Sequence, residues 1–448
     1  MQKFGEHYNL TFAPTPKLTS LRLFVAYAMF RRWTITQLDV VCAFLIPKLP
    51  ISQKIYMRPP TGIKLPTGYS LLLLRALYGL HQSPRLWNAE INATLKSLGF
   101  EPTDADPCVY TMSDETKVIA IFLIHVDDCL VAAEKDLAAK IAKQLMSIYE
   151  MTSQGTPTWV LGLGIDYDLE RGVARLSQKA YVQSMIVKYN MSDCNPAKTP
   201  AATERLIAAH APLPKQEAAD MKNIPYRNLV GTLMYAMVCT RPDIAFAVIQ
   251  VAKFSNNPSK KHWTAAKRIL RYLKGTQEYG LTYTRASEFD VQGFSDSDWA
   301  GDLDTRRSTS GYVFTVLGSP LSWCSRLERP VSLSSCEAEL VSLLQGGKEA
   351  IWIRKALKSY GFPCDRPMVL WEDNQGCIAI ATNQRGMSSR TKHVATRYFA
   401  IRQFVEDGEV EISYVSTEEQ LADIFTKPLG AEIFMRLVVA LGLLPRKP

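Results

Sequence analysis

Two adjacent aspartates, Asp127 and Asp128, interrupt an otherwise apolar stretch. Val118-Ile119-Ala120-Ile121-Phe122-Leu123-Ile124 lies before them and Leu130-Val131-Ala132-Ala133 after. Short runs of β-branched and aliphatic residues predict buried strands, and the polar break between them predicts a tight hairpin turn carrying a carboxylate pair. Like charges side by side at the edge of an apolar hairpin repel, and each is costly to bury unpaired. A divalent cation relieves that cost, because hard oxygen ligands suit Mg2+. A solvated acidic turn explains the pair equally simply, and taken alone the two residues favour it.

The rest of the chain decides between these readings. Its 448 residues suffice for about three domains. With 47% hydrophobic and 21% charged residues it can bury ordinary cores, which excludes a broadly disordered protein. The net charge of +9 permits a polyanionic partner without requiring one. Nine cysteines without a CxxC pair indicate neither a disulfide framework nor a zinc site. Reduced thiols, no membrane-length apolar run and no signal-peptide layout lead us to expect an intracellular protein, cytoplasmic or nuclear and not secreted, without membrane contact.

Strand and helix patterns mix up to about residue 173, with a helical pattern at 21–30, a strand at 35–41 and a helix at 86–98. The prolines at 196, 200, 212, 214 and 225 predict an irregular connector. A helical block follows at about 226–275. From about 289 strands (311–317, 321–324, 369–372, 410–415) alternate with helices (335–360, 394–407), the ordering of a compact α/β domain.

Asp39 ends a second strand-like run, Ile35-Thr36-Gln37-Leu38-Asp39-Val40, and is followed by Ala43-Phe44-Leu45. Next comes Leu77-Tyr78-Gly79-Leu80-His81-Gln82-Ser83-Pro84-Arg85-Leu86-Trp87. With Val126-Asp127-Asp128, this order of motifs resembles the reverse transcriptase of copia-type retrotransposons. Thr11-Phe12-Ala13-Pro14, Ile55-Tyr56-Met57 and Asp106-Pro107-Cys108 support the resemblance. It implies a right-hand polymerase with palm and fingers, in which Asp39, Asp127 and Asp128 hold two Mg2+ or Mn2+ ions. Nucleotide addition develops charge on attacking and leaving oxygens, which two ions about 3.5–4 Å apart can clamp. Phe44 matches the bulky residue under the incoming sugar, whose ring would clash with a 2′-OH. Tyr78, Gly79 and Gln82 match the loop lying against template and nucleotide.

Between the two halves, Asn257-Pro258 and Gly275 bracket a predicted helix. Lys260, Lys267, Arg271 and Lys274 share one face of it. That stripe suits a phosphate backbone, and suits a solvated surface as well.

Near the C-terminus acidic positions recur in Phe294-Ser295-Asp296-Ser297-Asp298-Trp299, Ser335-Cys336-Glu337-Ala338-Glu339, Trp371-Glu372-Asp373-Asn374 and Gln420-Leu421-Ala422-Asp423. They resemble the ribonuclease H domain of the same elements, whose quartet of carboxylates holds two metal ions. Position by position the quartet is Asp296, Glu339, Asp373 and Asp423. Asp298 and Glu337 are read as solvated acids, and His393 as a structural or capping residue.

The resemblance implies an overall α/β (α+β) architecture. Reverse transcriptase fingers and palm span 1–175, a helical thumb or connection 176–285, a ribonuclease H-like α/β domain 286–430 and a tail 431–448. The implied activity is RNA-directed DNA polymerase with ribonuclease H action on RNA–DNA hybrids, using an RNA template, a primer and dNTPs. A truncated or domesticated remnant that binds nucleic acid without polymerising, or a non-catalytic interaction protein, is the alternative. Three departures bear on activity. The family's upstream basic strand is expected before Met1, which would make Met1 an internal methionine of a longer polyprotein. His125 replaces an aromatic Tyr. Ile46-Pro47 replaces a polar-Gly pair in a loop reaching Ile55.

Overall fold

The computed structural model describes all residues other than 1, 4, 6, 7, 53, 116, 210–212, 383–394, 444 and 446–448. His393 and Pro212 lie outside the described residues. The chain divides into two compact units. One comprises Met1–Phe24, Arg31–Pro157 and Ala356–Phe362; the other comprises Val25–Phe30, Thr158–Lys355 and Pro363–Pro448.

The N-terminal part of the chain follows the order α1 (Leu18–Arg31), β1 (Thr34–Val40), β2 (Tyr56–Met57), β3 (Leu71–Leu72), α2 (Ser83–Ser97), β4 (Phe100–Pro102), β5 (Val109–Asp114), β6 (Lys117–His125), β7 (Asp128–Ala133), α3 (Lys135–Ile148) and β8 (Met151–Gly155). Six strands form one sheet in the order β4-β5-β6-β7-β1-β8, antiparallel throughout. The apolar runs around the acidic pair are continuous because both faces of β6 are covered. Ala120, Phe122 and Ile124 join the core beneath α2 and α3, while Ile121 and Leu123 are buried on the opposite face. Trp87, Ile91 and Leu95 repeat every four residues along α2, and Ala138, Ile141, Ala142 and Leu145 line one face of α3.

The second unit opens with β9 (Trp159–Val160), β10 (Leu163–Asp168) and β11 (Val173–Ser177). Helices α4 (Lys179–Lys188), α5 (Lys215–Lys222), α6 (Tyr226–Cys239), α7 (Ala245–Ala252) and α8 (Lys260–Gly275) follow, then β12 (Gly280–Thr284). The chain does not divide at residue 175. β11 pairs with β12 from Val173↔Thr284 to Ser177↔Gly280, closing a four-stranded sheet, β12-β11-β10-β9. That long-range pairing places Thr158–Lys355 in the downstream unit.

A five-stranded mixed sheet completes this unit in the order β15-β14-β13-β16-β17. Its strands are β13 (Val291–Asp298), β14 (Thr309–Val316), β15 (Ser319–Leu327), β16 (Met368–Glu372) and β17 (Val410–Tyr414). β13, β14 and β15 are antiparallel neighbours, whereas β13, β16 and β17 run parallel. Helix α9 (Ser335–Ser359) makes the crossover to β16, and α10 (Gln375–Thr382) and α11 (Ala395–Glu406) lead to β17. The stretch expected as a tail contains α12 (Ala431–Ala440), an ordered helix because Phe434, Leu437 and Val438 form a buried face. Among the described residues no helix is long and apolar enough to cross a membrane.

Candidate active sites

The first centre sits where β6 turns into β7. His125 pairs with Asp128, so the turn consists of Val126 and Asp127, and Asp128 already belongs to the strand. Across the sheet, Asp128 is the register partner of Asp39. Pairing alone thus delivers two of the three expected carboxylates to one spot. Val126 takes φ +59°, a left-handed conformation that a β-branched side chain rarely adopts. The Trp87 indole N–H donates to the Val126 carbonyl at 2.6 Å, and the Val40 N–H donates to the Asp127 carbonyl at 3.1 Å. These bonds hold the strained turn in place. Burial, then Asp127 and Asp128, raise the pKa of Asp39. Burial raises that of Asp128, opposed by the Gln37 amide, whose Nε2 donates to Oδ1 at 3.4 Å.

Phe44 stands beside Tyr78 with ring centroids 5.1 Å apart. Gly79 takes φ +92°, which a residue with a Cβ rarely adopts, so the loop turns there. Gln82 is buried rather than presented to a ligand, and its Oε1 accepts from Gln2 Nε2 at 2.8 Å.

The basic stripe of α8 is engaged with the chain itself. Arg271 Nε donates to Asn195 O at 2.7 Å, and Lys274 Nζ bonds the carbonyls of Ser192 and Cys194. Arg268 grips Thr199 in the same way. Lys260 pairs with Asp220 at 2.6 Å, and Lys267 lies over the Trp263 ring. Arg271 and Lys274 of the expected phosphate-facing stripe, with Arg268, here clamp the 192–199 connector, whose carbonyls are acceptors that sequence spacing cannot reveal.

The second centre lies at the carboxyl ends of β13 and β16. The parallel register pairs Gly293 with Leu370 and Phe294 with Trp371; two residues further on, Asp296 comes level with Asp373. Strand ends of this kind are where open α/β sheets place ligands. Glu339 arrives from the second turn of α9. One oxygen each from Asp296, Glu339 and Asp373 lies within 4.8 Å of the others, the one such trio among the described residues.

Asp423 reaches the centre on a 3-10 turn, Leu421–Phe425, and not on a regular helix. The buried Gln420 amide pins this turn, donating to Ser295 O at 2.9 Å. Gly311 permits its close approach, because a Cβ there would meet Phe425 and Thr426 side-chain carbons at 2.7 Å. Thr426 Oγ1 donates to Asp296, and Lys427 Nζ bridges Asp296 at 3.1 Å and Asp423 at 2.8 Å. Burial raises the pKa of Asp296, Glu339 and Asp423, the last to about 7.

Two participants escaped the sequence reading. Glu372 is fully buried beside Asp373, and burial raises its pKa well above the ordinary value. Its Oε2 and Glu339 Oε2 are buried without a hydrogen-bond partner among the described residues. Lys427 is the other; its four-residue offset from Asp423 was the available signal. Asp298 and Glu337, expected as solvated acids, are both engaged. Asp298 pairs with Arg205 at 2.6 Å. Glu337 accepts from Leu333 N at 2.7 Å while Ser334 Oγ accepts from Glu337 N, capping α9.

Residues 1–203 match the family described as reverse transcriptase (RNA-dependent DNA polymerase). The retrovirus-related Pol polyprotein from transposon TNT 1-94 of Nicotiana tabacum is 37% identical over 430 residues, 95% of this chain and 32% of that protein. The putative transposon Ty5-1 protein of Saccharomyces cerevisiae is 30% identical over 310 residues, 68% of this chain and 97% of that protein. Among solved structures, RNase H1 of Halobacterium salinarum is 16% identical, with 31% of this chain and 94% of that chain covered at a TM-score of 0.23. The chain belongs to the copia-type retrotransposon Pol family. It spans about a third of the length of the tobacco polyprotein it matches.

Proposed function

We propose that this chain is the reverse transcriptase and ribonuclease H portion of a copia-type Pol polyprotein, with one phosphoryl-transfer centre in each compact unit. The observation that carries the nuclease half is the trio of buried Asp296 and Glu339 with half-buried Asp373, their oxygens within 4.8 Å of one another. Buried like charges so close are tolerable when a cation joins them, and the orphan oxygens of Glu339 and Glu372 offer further ligands. Divalent metals are general in both families.

A bound Mg2+ or Mn2+ supplies Lewis-acid polarisation and a nucleophilic water at neutral pH. The trio holds it. Lys427 compensates Asp296 and Asp423, and those two carboxylates would be the residues to hold a second cation. Burial raises the carboxyl of Asp423, whose Oδ1 accepts from Lys427 at 2.8 Å, so Asp423 would ionise fully as a cation is taken up. In the other unit, Asp39 and Asp128 face each other with Asp127 at the turn, and Phe44 braced by Tyr78 would exclude a ribose 2′-OH. The substrates are then an RNA–DNA hybrid for the nuclease, and an RNA template, a primer and dNTPs for the polymerase.

The test is hybrid cleavage by the purified chain with Mg2+ or Mn2+. Cleavage is expected, and Asp373→Asn should lower it by more than about 100-fold, since a metal contributes several kcal/mol at about 1.4 kcal/mol per tenfold. An intact hybrid with the wild-type chain would refute the nuclease assignment.

A further inference from the structure

Trp299 follows Asp296 by three residues and is 49% exposed. Its ring is nevertheless held, because Nε1 donates to Ser332 O at 2.9 Å. Ser332 adjoins the segment that caps α9, the helix carrying Glu339. On either side of it Val331 and Leu333 are exposed, as is Leu303 on the loop after Trp299. Two loops, joined by the Trp299–Ser332 bond and by Glu328 N donating to Ser308 O at 2.9 Å, therefore present large apolar side chains to water near the carboxylate centre. Exposed apolar groups gathered this way mark a contact surface, and an indole whose N–H is already bonded has only its face to offer.

We infer that Trp299 is a stacking platform for a nucleotide of the RNA–DNA hybrid, with Leu333 and Val331 as its apolar flank. This rests on the nuclease reading of the Asp296 centre and adds a positioning residue to it. Three residues span at most about 11 Å of chain. Successive nucleotides of a strand rise by about 3.4 Å, so a ribose about three steps from a phosphate at Asp296 would meet the ring. A neutral face also suits the strand here, where the neighbouring carboxylates repel phosphates. The three-residue separation from Asp296 favours nucleic acid over a protein partner, because a hybrid seated at the carboxylates extends over several nucleotides on either side.

The experiment measures binding of a fluorescein-labelled RNA–DNA hybrid to the full chain in EDTA. Trp299→Ala should weaken binding by about tenfold, the usual loss of a base-stacking aromatic, and Trp299→Phe by less. The wild-type affinity should fall with salt while the ratio to Trp299→Ala stays constant, because stacking releases no counterions. Tryptophan emission should be quenched by the hybrid in the wild type, and quenched less in Trp299→Phe. Leu333→Ser, at an exposed position that folding tolerates, should weaken binding two- to threefold, about the loss of part of an apolar contact. Equal affinity of wild type and Trp299→Ala would overturn the platform. So would a changed sedimentation coefficient in Trp299→Ala with unchanged hybrid affinity, which would make the patch a protein interface. If the wild type fails to cleave the hybrid with Mg2+, the nuclease reading falls. The binding measurement still decides the platform: a loss in Trp299→Ala sustains it and no loss removes it.

Discussion

The carboxylates of the first unit meet at a strained hairpin turn, whereas those of the second converge under cover. Asp39 and Asp128 face each other through strand register, with Asp127 on a turn held by the Trp87 indole. Asp296, Glu339 and Asp423 are at most 7% exposed, and Lys427 already balances two of them. The same chemistry is therefore prepared in two ways. A hairpin brings acids together cheaply but leaves them partly hydrated, so a cation must complete the assembly. A buried cluster is assembled in advance, and it stores electrostatic repulsion that a cation relieves.

The largest test of this contrast crosses two variants. Asp127→Asn should remove primer extension by more than about 100-fold and leave hybrid cleavage within about twofold; Asp373→Asn should do the reverse. Assaying both activities on each preparation checks it, and a variant that loses both would break the idea of two separate centres.

Next in size is Lys427→Met. It leaves the buried Asp296 and Asp423 without their ammonium partner and should cost about 2–4 kcal/mol in urea unfolding without metal. Excess Mn2+ should restore part of that loss if the cation and the ammonium compensate the same charges.

The pH dependence follows from the raised carboxyl of Asp423. Its ordinary value is 3.8 and burial lifts it to about 7, so between these pH values the folded chain holds a proton that the unfolded chain has released. Its stabilising contribution is complete below about pH 3.8 and is lost as pH rises through about 7. Without metal, the melting temperature should fall from pH 5 to pH 8, and fall less in Asp423→Asn. Mn2+ should stabilise more at pH 8 than at pH 5, because the ligands must be ionised. Asp39 and Asp128 shift in the same direction but are partly hydrated, so Asp39→Asn should alter the profile less.

The smallest effects concern the turn. Trp87→Phe removes one hydrogen bond and should cost about 1 kcal/mol in chemical denaturation. Val126→Gly should be neutral or stabilising by up to about 1 kcal/mol, because release of left-handed strain exceeds glycine's entropy cost. A loss in Val126→Gly would mean that the turn is not strained.

Much of the fold was legible where signals are local. The continuous apolar runs of β6 and β7 announced doubly covered strands, and the Pro258–Gly275 bracket announced α8. The division at 175 misled because β11 finds its partner β12 across a hundred residues, and local periodicity carries no trace of such pairing. The same limit applies to α8. Spacing placed Arg271 and Lys274 on one face, but a guanidinium or ammonium accepts a phosphate or a carbonyl as partner with equal ease.

For the sites, residue type and motif order alone determined which acids to consider: Asp39, Asp127, Asp128, Asp296, Glu339, Asp373 and Asp423. Tertiary structure alone decided what each acid experiences. It paired Asp298 with Arg205 and used Glu337 to cap α9. It buried Glu372 beside the trio and set Lys427 between Asp296 and Asp423. The physical reason is that a motif is a property of neighbours in the chain. Desolvation and Coulomb interaction depend on neighbours in space, and folding is what chooses those.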